Sequence, residues 1–130
     1  MSAASYMRQK LLDALTGVTP YVTPTLYLSL HTADPGDAGS HAFEVAGGGY
    51  ARLSLAGKMG AADSEGYSVN TVALSIGPAT TDWGTITYLA IEDAAVAGNM
   101  LWPGAPSQPR TITSGQTFQI PVGQLRLKMT

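Results

Sequence analysis

The chain has 130 residues, no cysteine and a net charge of −2, and only 12% of it is Asp, Glu, Lys or Arg. That length suits one domain that buries a core without disulfide or metal, and the missing thiols exclude a disulfide scaffold, a thiolate zinc site and a cysteine nucleophile. The seven scattered basic residues leave no nucleic-acid footprint, no apolar run reaches membrane-spanning length, and a charge content of roughly half the usual share predicts a surface largely covered by other subunits.

Arg8 and Lys10 interrupt the stretch where a signal peptide needs its apolar core. The chain therefore reads as made in the cytoplasm and not exported by a cleaved signal. Residues 4–16 carry the one strong helical pattern. Met7, Leu11 and Leu15 recur at i, i+4 and i+8, Leu12 widens the stripe, and Arg8, Gln9, Lys10 and Asp13 take the other side. Ser2 or Ser5 is a candidate cap, and Gly17 suits the left-handed residue that ends a helix. The connector from Val18 to Pro24, with two prolines, is extended.

From Thr25 the period becomes two. Leu26, Leu28 and Leu30 alternate with Tyr27, Ser29 and His31, which predicts a half-buried strand stopped by the turn formers of Ala33-Asp-Pro-Gly-Asp-Ala-Gly39. Further strands are expected at Tyr50–Leu55, Val69–Ile76, Thr85–Glu92, Met100–Trp102, Arg110–Thr113, Thr117–Val122 and Gln124–Met129. The near-continuous apolarity of the Thr85–Glu92 run suggests a central strand. The sum is a single domain over residues 1–130: a helical arm at 1–17 and, at 25–129, a mainly β, jelly-roll-like sandwich of seven or eight short strands.

Few groups are available for catalysis. His31 lies near Asp34, Asp37 and His41, but the spacing matches no zinc or calcium loop, and Pro35-Gly36 reads as a turn. The Gly-x-Ser-x-Gly pattern is absent. Gly47-Gly-Gly49 has no following Lys-Ser or Lys-Thr, so it reads as a place where the chain bends or passes close to another backbone. Glu92 and Asp93, adjacent on a strand, point to opposite faces and suit the end of a sheet. The chain is thus expected to be no enzyme and to use no cofactor, metal or small-molecule substrate. Trp83 and Trp102 sit beside strand breakers, where they anchor a partner or fill the core. Together with Met7, Leu11 and Leu15 they are the candidate interface residues.

Several segments together carry a resemblance: Leu26-Tyr-Leu-Ser-Leu-His-Thr-Ala-Asp-Pro-Gly36, Glu44-Val45, Gly47-Gly-Gly-Tyr-Ala-Arg52, Trp83-Gly-Thr-Ile-Thr87, Ile91-Glu-Asp-Ala94 and the ending from Gly115 to Leu127. Over residues 25–128 the chain resembles small virion proteins of tailed bacteriophages, often labelled tail fibre proteins and in part similar to capsid cement or decoration proteins. The resemblance implies a jelly-roll-like fold and a place in the particle, and it implies no catalytic residues. The preferred expectation is a decoration protein on the capsid surface, acting as a dimer or trimer that bridges neighbouring major capsid proteins and stabilises the shell by mass action. The alternative is a tail fibre or baseplate component in host attachment. A small hydrolase or metal-dependent enzyme built on His31 and His41 has no constellation behind it.

Overall fold

The computed structural model describes residues 1–129. It contains helix α1 (Ser5–Leu15) followed by ten strands: β1 (Tyr27–His31), β2 (Leu53–Ser54), β3 (Tyr67–Val69), β4 (Leu74–Ile76), β5 (Gly84–Ile86), β6 (Tyr88–Glu92), β7 (Met100–Gly104), β8 (Arg110–Ile112), β9 (Phe118–Ile120) and β10 (Arg126–Lys128). All strand pairs are antiparallel. One sheet runs β2-β1-β6-β7, and three two-stranded ladders pair β10 with β3, β4 with β9 and β5 with β8. The mainly β expectation holds, and so does the central place of the second half of the Thr85–Glu92 run.

The strand count exceeds seven or eight because two expected strands break. Asn70, only 1% exposed, ends β3: its side-chain amide donates to the Val72 and Pro121 carbonyls, and its Oδ1 accepts the Leu125 N–H. A buried amide spent on three backbone groups fixes a turn, not a ladder, and Val72 is left exposed. The Thr85 run divides at Thr87, where β5 turns to β8 and β6 turns to β1. β7 continues through Pro103, which an edge strand tolerates because no neighbour needs its missing N–H.

Register sorts the central sheet into two faces. Leu28 opposes Ile91 and Leu30 opposes Leu89 on one side; Tyr27, Ser29 and His31 oppose Glu92, Ala90 and Tyr88 on the other. The first face joins Leu74, Ile76, Ile86, Ile112, Phe118, Ile120 and Leu127 from the three small ladders in the main core. Burying each such side chain stabilises by roughly 1.5–3 kcal/mol, so this layer dominates cohesion. The second face was expected to meet solvent and does not. Ala4, at the start of the helix, packs on Ala90 and Met100, and the 32–45 loop covers the rest, with Gly39 close enough that an added Cβ would lie 2.8 Å from the Met100 Cβ.

Neither candidate serine caps the helix. The N-cap is Ala4 with no side-chain hydrogen bond, and the Ser5 hydroxyl instead donates to the Asp37 carbonyl at 3.1 Å. The far end closes as expected at Gly17 (φ +79°): the Val18 N–H reaches the Asp13 carbonyl and the Gly17 N–H the Ala14 carbonyl, a Schellman arrangement.

The triple glycine makes the close passage expected of it. Gly48 has φ +60°, its carbonyl accepts the Trp83 indole N–H at 2.9 Å, and a Cβ there would meet the Thr81 hydroxyl at 2.5 Å and the Trp83 Nε1 at 2.9 Å. Gly47 (φ +75°) has open space around it. We predict that Gly47→Ala lowers stability by about 1 kcal/mol, the backbone term alone, and that Gly48→Ala costs at least about twice that. Equal denaturant midpoints for the two variants would refute the close-passage reading.

Candidate functional site

The sequence-selected interface residues do not form one patch. Met7 is buried with Ala3 and Leu101, and Leu11 is half-buried against that cluster. Leu15 points away, 85% exposed. Trp83 is a core residue, meeting the Tyr50 ring edge-on with centroids 5.6 Å apart. Trp102 is half-buried, and its indole N–H donates to the Lys128 carbonyl at 3.0 Å. The helix therefore anchors its first two turns on its own β7 and presents its outer end.

A polar cluster stands on the face of the sheet that alternation assigned to solvent. The side chains of Ser29, His31 and Glu92 are wholly buried on the second face of the central sheet. The Ser29 hydroxyl lies 2.9 Å from His31 Nε2 and donates toward Glu92 Oε1 at 3.2 Å, while His41 Nε2 meets Glu92 Oε2 at 3.2 Å. With the single serine proton directed at the carboxylate, His31 Nε2–H donates to Ser29 and Nδ1 is an acceptor. That Nδ1 has no partner. A second proton there would be a buried charge with no acceptor, and desolvation pushes the His31 pKa down to about 4. His31 is thus neutral at pH 7, and its 3.8 Å approach to Glu92 is not an ion pair.

The lid over this cluster is pinned by a second set of contacts. Glu44 takes a two-pronged bond from Arg52, Nε to Oε2 at 2.8 Å and Nη2 to Oε1 at 2.7 Å, and also accepts the Tyr50 hydroxyl at 2.7 Å. The Arg52 guanidinium and the Tyr50 hydroxyl outweigh the effect of burial and hold the Glu44 carboxyl below its usual range. Arg52 Nη1 spans the Ala94 and Ala97 carbonyls of the β6–β7 hairpin, steadying Ala97 at φ 54°. The Tyr50 hydroxyl accepts the Leu30 N–H at 3.1 Å, completing the edge of β1 where β2 stops.

Chemically, the Ser29–His31 contact has the elements of a nucleophile and a base, but the carboxylate binds the serine and not the imidazole Nδ1. Both residues are 0% exposed, so no substrate reaches them while the lid is closed. The imagined metal set is dispersed: Asp34 accepts the Gly36 N–H, Asp37 pairs with Arg8, and His31 and His41 address Ser29 and Glu92. Among the described residues, no group of three His, Cys, Asp or Glu could hold a metal ion. The signal that would have exposed the cluster is Glu92 closing an apolar strand, with Arg52 set among apolar neighbours.

Because the unfolded chain takes up a proton on His31 near pH 6.5 and the folded chain only near pH 4, stability falls as pH drops through that window. The loss expected between pH 7 and 4 is at most about 3 kcal/mol from this residue. The lowered Glu44 pKa adds a loss of the same sign at the acid end. Urea unfolding across pH should show a decline in the native chain and a clearly shallower one between pH 6.5 and 5 in His31→Gln. An unchanged slope in that variant would refute the assignment.

A family model described as "Podophage GP4 fiber I protein gp80" matches residues 2–128, which includes the helix that the resemblance read from the sequence left out. No curated protein matches the chain. Membership is therefore shown over nearly the whole chain: it belongs to the podophage GP4 fiber I protein gp80 family, a family of bacteriophage virion proteins.

Proposed function

We propose that the chain is a non-enzymatic structural subunit of a phage particle's fibre apparatus, held to further copies of itself through the outer end of α1 and the connector behind it. The observation that carries this is a set of exposed apolar side chains spaced along one stretch of chain: Leu12 at 61%, Leu15 at 85%, Val18 at 72% and Val22 at 86%. A chain with so little charge gains from covering such a run, and the same length of chain carries the only helix among the described residues. The fibre description of the matching family supports the location. The closure of the Ser29–His31–Glu92 cluster supports a role without chemistry at that cluster.

A capsid decoration role is the second reading, in which the same apolar run grips neighbouring major capsid proteins. It is favoured by the main core, which draws on strands spread along the described residues. Gold-labelled antibody on intact particles separates the two: label at the tail in few copies supports the fibre reading, and dense label over the head supports decoration. For the self-association surface, Leu12→Asp combined with Leu15→Asp should convert the purified oligomer to monomer in sedimentation velocity without lowering the melting temperature. An oligomer that survives both substitutions would contradict it.

A further inference from the structure

A cleft of about 400 Å³ opens between the β7–β8 connector and the β9–β10 connector. Apolar side chains from Leu89, Ile120 and Leu125 line its depth, Pro106 and Pro121 its flanks, and Arg110 and Arg126 belong to its wall. None of its eleven lining residues is Asp or Glu. That is uneven for a chain with more acidic than basic residues.

The two arginines are fixed in place but not neutralised. The Arg110 guanidinium lies 5.1 Å from the centroid of the Phe118 ring and donates to the Gln119 carbonyl. The Arg126 guanidinium lies 4.1 Å from the centroid of the Tyr67 ring. Arg8 and Arg52 each have a carboxylate partner, whereas among the described residues no carboxylate lies within ion-pair distance of Arg110 or Arg126. Asp63 feels Arg126 only from beyond that distance, and it is held ionised first by the Tyr67 backbone N–H. Stacking on an aromatic face orders a guanidinium while leaving most of its donors free for an anion, Arg110 spending one on Gln119.

One wall is also preorganised. The buried Asn70 side chain holds both ends of the 121–125 connector, through the Pro121 carbonyl and the Leu125 N–H, and the Gly123 N–H bonds to the Asn70 carbonyl. A rigid rim, an apolar depth, two unpaired guanidinium groups, and the polar side chains of Ser107 and Gln124 at the margin are the parts of a small-ligand site. The size suits a ring-bearing molecule.

We propose that this cleft binds an oxyanion carried on a sugar-sized ring, a uronate or a sugar phosphate, with Arg110 and Arg126 as its charge-recognising residues. The site is independent of where in the particle the chain resides, so failure of one reading leaves the other standing.

The test is titration of the isotope-labelled full chain, followed by NMR, with trigalacturonic acid, glucose 6-phosphate, inorganic phosphate and neutral maltotriose as probes. At least one acidic sugar should shift amides at residues 105–110 and 120–126, with binding that weakens as salt is raised. Arg110→Gln and Arg126→Gln should each loosen it by about tenfold or more, since each removes a charge-assisted contact. Lys10→Gln, the same charge change on the helix, should leave it unaltered. If the glutamine variants fold poorly, Arg110→Lys and Arg126→Lys keep the charge and lose the fork, and they should still bind several-fold more weakly. Absence of cleft shifts with both acidic sugars overturns the proposal. So does equal binding by maltotriose or inorganic phosphate, or equal weakening by Lys10→Gln.

Discussion

The covered second face of this domain centres on one buried ion pair, Glu44 with Arg52. Its two charges come from outside the named strands: the end of the 32–45 loop, where Glu44 bridges His31 beside backbone bonds to β1, and the approach to β2. Both side chains are largely withdrawn from water, at 14% and 3% exposure, and every oxygen and guanidinium nitrogen has a partner. Desolvating two ions is expensive, and a pair of this kind is tolerated because each oxygen and each nitrogen keeps a partner. Glu44 holds the loop down, Tyr50 passes the contact to the backbone of β1, and Arg52 extends it to the β6–β7 hairpin.

What the ion pair protects is the second face of the central sheet. A sheet with apolar side chains on one face and Ser29, His31 and Glu92 on the other would ordinarily leave the polar face in water. Here that face is covered, so the three residues need partners within the protein, and they find them in one another and in His41 except at His31 Nδ1. A covered polar face specifies one position for the lid, because a shifted loop would strand buried donors. This suits a virion subunit, whose surface has to present itself in the same way in every copy. The outer helix end and the Arg110–Arg126 cleft lie outside this covered face.

Much of this was legible in the sequence. The 3.6-residue period of Met7, Leu11 and Leu15 located the helix, and its Gly17 terminus formed as expected; the period-two run from Leu26 located β1, and the Gly47–Gly49 close passage followed from glycine alone. Asn70 was not legible as a strand breaker, because the partners that bury it lie about fifty residues further along. His31 was read as a surface group, since alternation reports which face a residue takes and not whether something covers that face. The ion pair was hidden for the same reason. Arg52 among apolar neighbours hints at a buried charge, but its partner Glu44 is unremarkable in a pattern search, and the pair arises only once the loop folds back over the sheet. Met7 and Trp83 show the converse, apolar residues whose burial within the chain and burial against a partner look alike in sequence.

The central claim is that Glu44 and Arg52 act as one unit holding the lid, and a double-mutant cycle measures that directly. Glu44→Gln, Arg52→Met and the double variant should be unfolded in urea at pH 7 beside the native chain. Each single variant strands a buried partner and should lose about 3 kcal/mol or more, while the double variant loses little beyond either one, giving a coupling of at least about 2 kcal/mol. Losses that simply add, with a coupling near zero, would contradict the account and place the lid's stability elsewhere.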